Sequence, residues 1–322
     1  MYPLKFNNTL KEVIWGGEKI SAFKGINPVR HSIGESWEIS TVPNYISVVS
    51  NGEWEGLPLT EVIAKYKGRI TGEKIYQRYK KELPLLFKIL DTKERCSVQV
   101  HPDDELAQKR HACNGKTEIW YVIDAEPDAT LISGFSKSIS IEEYRKRVGE
   151  NTLEEVLMSH PAKAGDVFFI PAGHIHAIGK GILLAEIQQS SDITYRVYDY
   201  GRKDAKDVCR ELHVEEAIEA LNFSLQEELK QETAQINSNL IKLADCNFFR
   251  ANLLNITEST TKDYRNLDSF VVYLCIKGAC ELIYDKGKTS LKQGESALIP
   301  AAMGYFEIQT SGAGTQLIEC YL

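Results

Sequence analysis

An internal repeat of eight residues is the feature that most constrains how this chain folds. The first copy, GDVFFIPA, spans residues 165–172, and the second, GESALIPA, spans residues 294–301. Each copy has a glycine turn, an acidic residue, an apolar strand and a Pro-Ala pair, as expected of short strands in a β-barrel. At this spacing, His174 and His176 fall on Met303 and Tyr305. The repeat therefore predicts two β-barrel units, the first with a metal and the second without one.

Short apolar segments separated by Gly and Pro predict a mainly β architecture for the rest of the chain. Strands are predicted at 96–100, 119–123, 167–170 and 182–188. Helical insertions are predicted at about 57–82, with a break near 68–72, at about 140–160, and at about 205–222. The second of these opens with Ser140 and Glu143, which form a capping-box pattern.

The polar segment 224–239 has few apolar residues and is the best candidate for a linker. We therefore predict a metal-binding domain with the helical insertions over residues 1–239. A degenerate, metal-free domain of related architecture is predicted over residues 240–322.

Metal-ligating side chains recur on the predicted strands of the first unit. Gln99 and His101 are two residues apart, so that an extended strand directs both side chains to one face. His174 and His176 share a face for the same reason, and Glu118 opens another strand. This set suits a divalent metal that keeps one position open for a substrate. Spacing alone does not separate His174 from His176 as the ligand.

Three further polar residues lie close to these candidates in the pattern of strands. A carboxylate at Glu118 that enters an apolar strand needs a cation, which a metal or Lys116 can supply. Glu186 and Arg196 lie on two later strands, and they either pair with each other or face the metal. In the second case, the guanidinium suits an anion or a developing negative charge. His31, His160 and His213 lie outside any ligand spacing and are interpreted as structural or surface residues.

Composition excludes several classes of protein. The net charge of −7 argues against nucleic-acid binding, which depends on Lys and Arg, although a few local cations suffice for a small anion. The seven cysteines have scattered spacings and no Cys-x-x-Cys motif, which is typical of reduced thiols in a cytoplasmic protein. No apolar segment reaches the length of a signal peptide or a membrane span. We therefore expect a cytoplasmic protein with no membrane partner.

Four ordered motifs resemble the type I mannose-6-phosphate isomerases in their short bacterial form. These motifs are SVQVHP at 97–102, GKTE at 115–118, PAGHIHAIG at 171–179 and QSSDITYR at 189–196. The resemblance implies two cupin-type jelly-roll β-barrels with helical insertions and one zinc ion per chain. It also implies that Gln99, His101, Glu118 and His176 are the zinc ligands. Long-form members often have a histidine where this chain has Gly115.

The family's reaction interconverts mannose 6-phosphate and fructose 6-phosphate through a cis-enediolate. The resemblance assigns catalytic roles to Arg196, Glu186 and Lys116, and it leaves the base open between Glu186, a metal-bound water and Lys116. His174, Lys88, Lys180 and Arg202 are candidates for binding the sugar phosphate. We expect a monomer or homodimer. The alternatives are a cupin of other chemistry, such as an iron dioxygenase or a different sugar isomerase, and a non-enzymatic sugar sensor.

Overall fold

The computed structural model describes residues 1–203, 206–225, 229–233, 238–310 and 314–322. Two β-barrels account for most of the described chain. The strands of the N-terminal part are β1 (Phe6–Asn7), β2 (Thr9–Gly17), β3 (Ile33–Ile39), β4 (Val48–Val49), β5 (Leu85–Thr92), β6 (Val98–Val100), β7 (Glu118–Ala125), β8 (Thr130–Phe135), β9 (Leu157–Pro161), β10 (Asp166–Ile170), β11 (His176–Ile178), β12 (Ile182–Gln189), β13 (Tyr195–Tyr198) and β14 (Lys230–Glu232).

The C-terminal part contains the second barrel. Its strands are β15 (Leu240–Asp245), β16 (Arg250–Ile256), β17 (Thr260–Asp263), β18 (Val271–Lys277), β19 (Ala279–Tyr284), β20 (Gly287–Lys292), β21 (Ser296–Ile299), β22 (Tyr305–Thr310) and β23 (Thr315–Tyr321). The α-helices of the chain are α1 (Lys19–Lys24), α2 (Leu59–Tyr66), α3 (Gly68–Thr71), α4 (Glu73–Tyr79), α5 (Asp104–His111), α6 (Ile141–Gly149) and α7 (Val214–Ala220).

Each barrel consists of two antiparallel sheets. In the first barrel, a seven-stranded sheet in the order β14-β10-β7-β12-β5-β2-β3 accompanies a five-stranded sheet in the order β13-β6-β11-β8-β9. The second barrel has a five-stranded sheet, β15-β16-β23-β18-β21, and a four-stranded sheet, β17-β22-β19-β20. A short two-stranded sheet pairs β1 with β4. The predicted fold, mainly β with two cupin-type jelly-roll barrels and helical insertions, is confirmed.

Strand alternation gives each large sheet two buried faces. Outward residues such as Phe87 and Ile89 of β5 join Val272 of β18 and Ile318 of β23 in one apolar cluster that connects the two barrels. Burial of this much apolar surface on both sides of the contact contributes strongly to the stability of the whole chain. The intervening residue Lys88 is thereby directed to the opposite face, into the first barrel. The fold thus places polar side chains of β5 inside the barrel that carries the candidate site.

The predicted helical insertions are shorter in the structure than in the sequence pattern. The segment 57–82 contains α2, α3 and α4, with breaks at Lys67 and Gly72, both at positive φ. The stretch 140–160 was wrongly predicted as one helix. Although Ser140 caps α6 by accepting a hydrogen bond from Glu143 N (3.1 Å), the helix ends at Gly149, and Asn151 adopts a positive φ. A 3₁₀ turn and β9, which pairs with β8, follow.

Two other predictions need correction. In the insertion at 205–222, the described helix is α7 alone. The predicted linker 224–239 contains β14, which pairs with β10 and extends the large sheet of the first barrel. Residues 205, 226–228 and 234–237 of these segments lie outside the described residues. Among the helices of the described ranges, none is long and apolar enough to span a membrane.

Candidate metal centre and cavity

The interior of the first barrel contains a buried row of polar side chains on three adjacent strands. Glu186 of β12 lies opposite Lys88 of β5 and Trp120 of β7 in the strand register. The Lys88 ammonium is 3.1 Å from Glu186 Oε1, and Trp120 Nε1 donates a hydrogen bond of 3.1 Å to Oε2. Burial alone raises the pKa of Glu186, but Lys116, Lys88 and the indole N–H outweigh it and lower the pKa below its usual range. Glu186 is therefore held ionised at neutral pH.

Beside this row, two imidazoles and a carboxylate converge from three strand ends. His101 follows β6 immediately, Glu118 is the first residue of β7, and His176 is the first residue of β11. All three side chains are buried, and each offers a ligand atom that lies within 4.8 Å of the other two. Nε2 of His101 and Nε2 of His176 are each 3.7 Å from one oxygen of Glu118.

Both imidazoles are oriented by hydrogen bonds on their other nitrogen. Nδ1 of His101 bonds to the Ile193 carbonyl (2.9 Å), and Nδ1 of His176 bonds to the His174 carbonyl (2.8 Å). Because a carbonyl oxygen only accepts, each Nδ1 carries the proton and each Nε2 presents a lone pair to the cluster. Burial lowers the pKa of His176 to about 3 and the pKa of His101 well below its usual value. Both rings are thus neutral, as metal ligation requires.

The surroundings of Glu118 test whether the residues fit a metal ion. Its Oε1 is buried without a hydrogen-bond partner in the described residues, and Oε2 contacts the Lys116 ammonium. Burial, reinforced by Glu186, raises the pKa of Glu118, so that its ionised form needs additional positive charge nearby. Two imidazole nitrogens and one carboxylate are a donor set that binds divalent transition metals. The three residues therefore fit a metal ion.

The structure separates the two histidines that spacing left equivalent. His176 directs its ring into the cluster, whereas the ring of His174 points to Ser133, with Nε2 2.9 Å from the hydroxyl oxygen. Burial lowers the pKa of His174 to about 4. His174 therefore contacts the cluster only through its backbone carbonyl. Gln99 lies opposite His176 in the strand register, and its amide nitrogen is 3.3 Å from His176 Nε2.

A cavity of about 210 Å³ opens next to the cluster. Five residues predicted for the site line it, and the other six do not, namely His101, Glu118, His174, His176, Lys180 and Arg202. Lys180 is exposed in the turn between β11 and β12, and Arg202 bonds to the Arg95 carbonyl and to Asp199. The five residues that line the cavity are Lys88, Gln99, Lys116, Glu186 and Arg196.

Arg196 of β13 lies at the wall of this cavity. Its Nε donates to Ser97 Oγ (3.3 Å), and its Nη1 donates to the Glu211 carbonyl (2.9 Å). Burial and the neighbouring Arg210 lower the pKa of the guanidinium, although it remains far above neutral pH as for any arginine. Arg196 and Glu186 are not an ion pair in the structure, since Glu186 pairs with Lys88.

The sequence analysis missed two cations of the cavity, Arg210 and Lys11. Arg210 donates from Nε to Asp199 (2.8 Å), while Lys11 Nζ is 3.6 Å from the ring centroids of Trp37 and Tyr45. No local sequence signal places Lys11 beside Trp37 and Tyr45, because these contacts form only in the folded protein. Arg210 lies in a segment without a motif, and only the tertiary fold brings it to the cavity.

The fold and the site together define a class of protein, a two-barrel cupin with a candidate metal centre in its first barrel. The comparisons with known proteins specify the family. Residues 3–131 match the family model described as the catalytic domain of phosphomannose isomerase type I, and residues 239–319 match the cupin domain of mannose-6-phosphate isomerase. The chain is 36% identical over 313 residues to mannose-6-phosphate isomerase ManA of Bacillus subtilis, covering 95% of this chain and 96% of that protein.

Two further matches agree. Mannose-6-phosphate isomerase of Streptococcus mutans is 42% identical over 221 residues, which are 69% of this chain and 68% of that protein. The crystal structure of mannose 6-phosphate isomerase from Bacillus subtilis superposes with a TM-score of 0.88 at 31% identity and covers both chains completely. The chain belongs to the mannose-6-phosphate isomerase family and is an enzyme.

Proposed function

We propose that this enzyme interconverts mannose 6-phosphate and fructose 6-phosphate through a cis-enediolate, with one zinc ion held by His101, Glu118 and His176. The observation that carries the proposal is the position of the buried His-Glu-His cluster directly behind Gln99 and Lys116. These two residues line one cavity together with Glu186 and Arg196. Gln99 is the fourth proposed ligand, because its side-chain amide already lies against His176. When bound, the metal would act as a Lewis acid that stabilises negative charge on the two sugar oxygens.

Isomerisation requires a proton to leave C2 of the open-chain aldose and to reappear at C1. Glu186 is our preferred acceptor because Lys88 and Trp120 hold its carboxylate ionised. A low pKa makes a weak base, but the developing negative charge of the enediolate nearby raises that pKa during the reaction. Lys116 is an alternative and would have to accept the proton as a neutral amine. Its nitrogen contacts Glu118 and lies 3.0 Å from His101 Nε2.

Arg196 supplies fixed positive charge to the enediolate in this proposal. Its guanidinium is held by two hydrogen bonds before substrate arrives, so that little reorganisation accompanies the build-up of negative charge. The role requires the anion to form at the wall of the cavity that Arg196 lines.

We propose that the phosphate group binds near Arg210 at the same wall. Arg202 and Arg210 both contact Asp199, so that two guanidinium groups share one carboxylate and leave an excess of positive charge. A phosphate dianion is the substrate group that such an excess favours. Of the residues predicted to bind the sugar phosphate, Lys88 is neutralised by Glu186, which makes it a poorer candidate. His174 and Lys180 do not line the cavity.

The direct test is to measure the metal content of the purified enzyme and its conversion of mannose 6-phosphate before and after chelation. We expect one zinc per chain, loss of conversion on chelation and recovery when zinc is added back. Failure to convert mannose 6-phosphate at full metal loading would contradict the proposal. A cytoplasmic location and a monomer or homodimer remain predictions of the sequence.

A further inference from the structure

Arg196 forms a hydrogen bond to a segment of the chain that lies outside the four family motifs. Its Nη1 donates to the backbone carbonyl of Glu211, which lies 15 residues further along the chain. The direction of the guanidinium in the cavity therefore depends on where the segment Glu211–His213 lies relative to β13. This segment connects Arg210 to α7.

His213 fixes that position through two hydrogen bonds to the backbone of Arg196. The His213 amide donates to the Arg196 carbonyl (2.7 Å), and the Arg196 amide donates to Nδ1 of the His213 ring (3.2 Å). The imidazole thus takes the place that a backbone carbonyl would occupy in a regular strand pair. As Nδ1 accepts this bond, the proton of the neutral ring is on Nε2.

Several contacts that do not involve the His213 imidazole hold α7 in place. Ala217 and Leu221 belong to a buried apolar cluster of the first barrel, and the Tyr144 hydroxyl donates to the Val214 carbonyl (3.2 Å). Arg145 pairs with Glu215 (2.7 Å). Loss of the His213 ring therefore removes its bond to Arg196 and its contact with the Tyr195 ring (6.2 Å between centroids), and it leaves these contacts of α7 in place.

We infer that His213 is a positioning residue for Arg196, which aims the guanidinium into the cavity through the Glu211 carbonyl. The inference rests on the proposed function of Arg196. The bond between the Arg196 amide and the imidazole is partly buried, and an amide that loses its acceptor seeks another partner. We therefore expect β13 to shift at Arg196 when the imidazole is removed. Because the guanidinium acts on charge that develops during the reaction, its displacement lowers kcat and changes the KM for mannose 6-phosphate little.

The test compares three substitutions at position 213 with a control at the neighbouring residue. His213→Ala and His213→Leu both remove the acceptor, and His213→Asn restores one with its side-chain carbonyl. We expect the first two to lower kcat on the order of 10- to 100-fold, the loss typical of a catalytic group displaced by about 1 Å. His213→Asn is expected to recover most of the activity. Leu212→Ala, which changes an exposed side chain of the same segment, is expected to behave like the unaltered enzyme.

A double-mutant cycle distinguishes positioning from a general loss of structure. In the Arg196→Ala background, His213→Ala is expected to lower kcat no further, because both substitutions remove the same interaction. Zinc content is expected to stay at the level of the unaltered enzyme in all variants. A kcat of His213→Ala within about twofold of normal, or an equal further loss in the Arg196→Ala background, overturns the inference. If His213→Ala does not fold, the contrast between His213→Asn and His213→Leu decides the same question. An unaltered enzyme without isomerase activity refutes the proposed function instead.

Discussion

The two barrels of this chain contain the same buried carboxylate in two different environments. Glu186 lies opposite Trp120 in the strand register of the first barrel, and Glu319 lies opposite Tyr273 in that of the second. Each carboxylate accepts a hydrogen bond from its aromatic neighbour, at 3.1 Å and 3.2 Å respectively. The corresponding residues are Lys88, Trp120 and Glu186 in the first barrel and Asn252, Tyr273 and Glu319 in the second.

The barrels differ at the positions of the proposed metal ligands. Glu118 lies opposite Ile170, and Val271 lies opposite Ile299, the equivalent residue of the repeat. Valine therefore stands where the first barrel has the carboxylate of Glu118. The sequence repeat aligned His176 with Tyr305, which is 51% exposed; in the structure, the inward position belongs to Phe306. Strand alternation directs the side chain of Phe306, and not that of Tyr305, into the second barrel.

This difference shows how one fold serves two purposes. Glu319 accepts hydrogen bonds from Lys262 (2.8 Å), Asn252 (3.0 Å) and the hydroxyls of Tyr264 and Tyr273, so that its bonding capacity is used within the barrel. Glu118 leaves one oxygen without a hydrogen-bond partner among the described residues. A polar interior that satisfies itself stabilises a fold, whereas one that leaves a donor or acceptor free can bind a ligand.

The largest effect is expected for Glu118→Val, which gives the first barrel the valine that the second barrel has at the equivalent position, Val271. The variant loses the ligand carboxylate, so that zinc content falls towards zero and conversion of mannose 6-phosphate falls to background. It also leaves Lys116 buried without its ion-pair partner, which costs about 3–5 kcal/mol of folding free energy. The measurements are zinc content, activity and thermal unfolding.

The double variant Lys116→Met/Glu118→Val is the control for that instability. It removes both charges, so that unfolding returns towards normal while zinc and activity stay absent. Retention of zinc by either variant would show that Glu118 is not a ligand.

Arg196→Ala is expected to produce the next largest effect. Removing a preorganised cation beside developing negative charge lowers kcat by about 10²- to 10³-fold. Zinc content is expected to remain unchanged, since the guanidinium contacts Ser97 and Glu211 and none of the three clustered ligands. Steady-state kinetics together with metal analysis check both statements, and near-normal turnover contradicts the assigned role.

Arg210→Ala is expected to have a smaller effect. Its comparison with Arg202→Ala distinguishes two candidate phosphate contacts. Arg210 lines the cavity, whereas Arg202, which also contacts Asp199, does not. Because a phosphate contact is made equally in the ground and transition states, Arg210→Ala raises the KM for mannose 6-phosphate by about tenfold and leaves kcat nearly unchanged. Arg202→Ala is the matched control. A larger rise in KM for Arg202→Ala would assign the phosphate to Arg202, one of the four candidates from the sequence.

The fold was predictable from the sequence because the signals that mark its strands are local. Gly, Pro and alternating apolar residues mark the strands, and His101, Glu118 and His176 lie at strand ends that such punctuation reveals. The choice between His174 and His176 depends on the twist and pairing of β11, which spacing does not contain. Arg210 and His213 were missed or set aside because their roles arise from the packing of one segment against β13, a contact without a local signal.

The smallest effect on turnover is expected for Glu319→Gln, which alters the carboxylate of the second barrel. The substitution leaves Lys262 without a charged partner in a largely buried site and is expected to cost roughly 3 kcal/mol of folding free energy. kcat and zinc content are expected to stay within about twofold of normal, as the residue lies outside the cavity of the first barrel. A large loss of kcat at normal zinc content would show that the second barrel participates in catalysis.

The same variant tests the electrostatic origin of that stability. Burial raises the pKa of Glu319, but Lys262 and the hydrogen-bond donors around it outweigh burial, so that the pKa in the folded state is lowered. A lowered pKa means that the unfolded chain binds the proton more tightly, and the stabilisation is present above the unfolded-state pKa of about 4.3. It is lost as the pH falls through the folded-state value. The difference in unfolding free energy between the two proteins is therefore expected to be constant near neutral pH and to shrink below about pH 4. A difference that does not change with pH would assign the stability to packing around Glu319 instead of its charge.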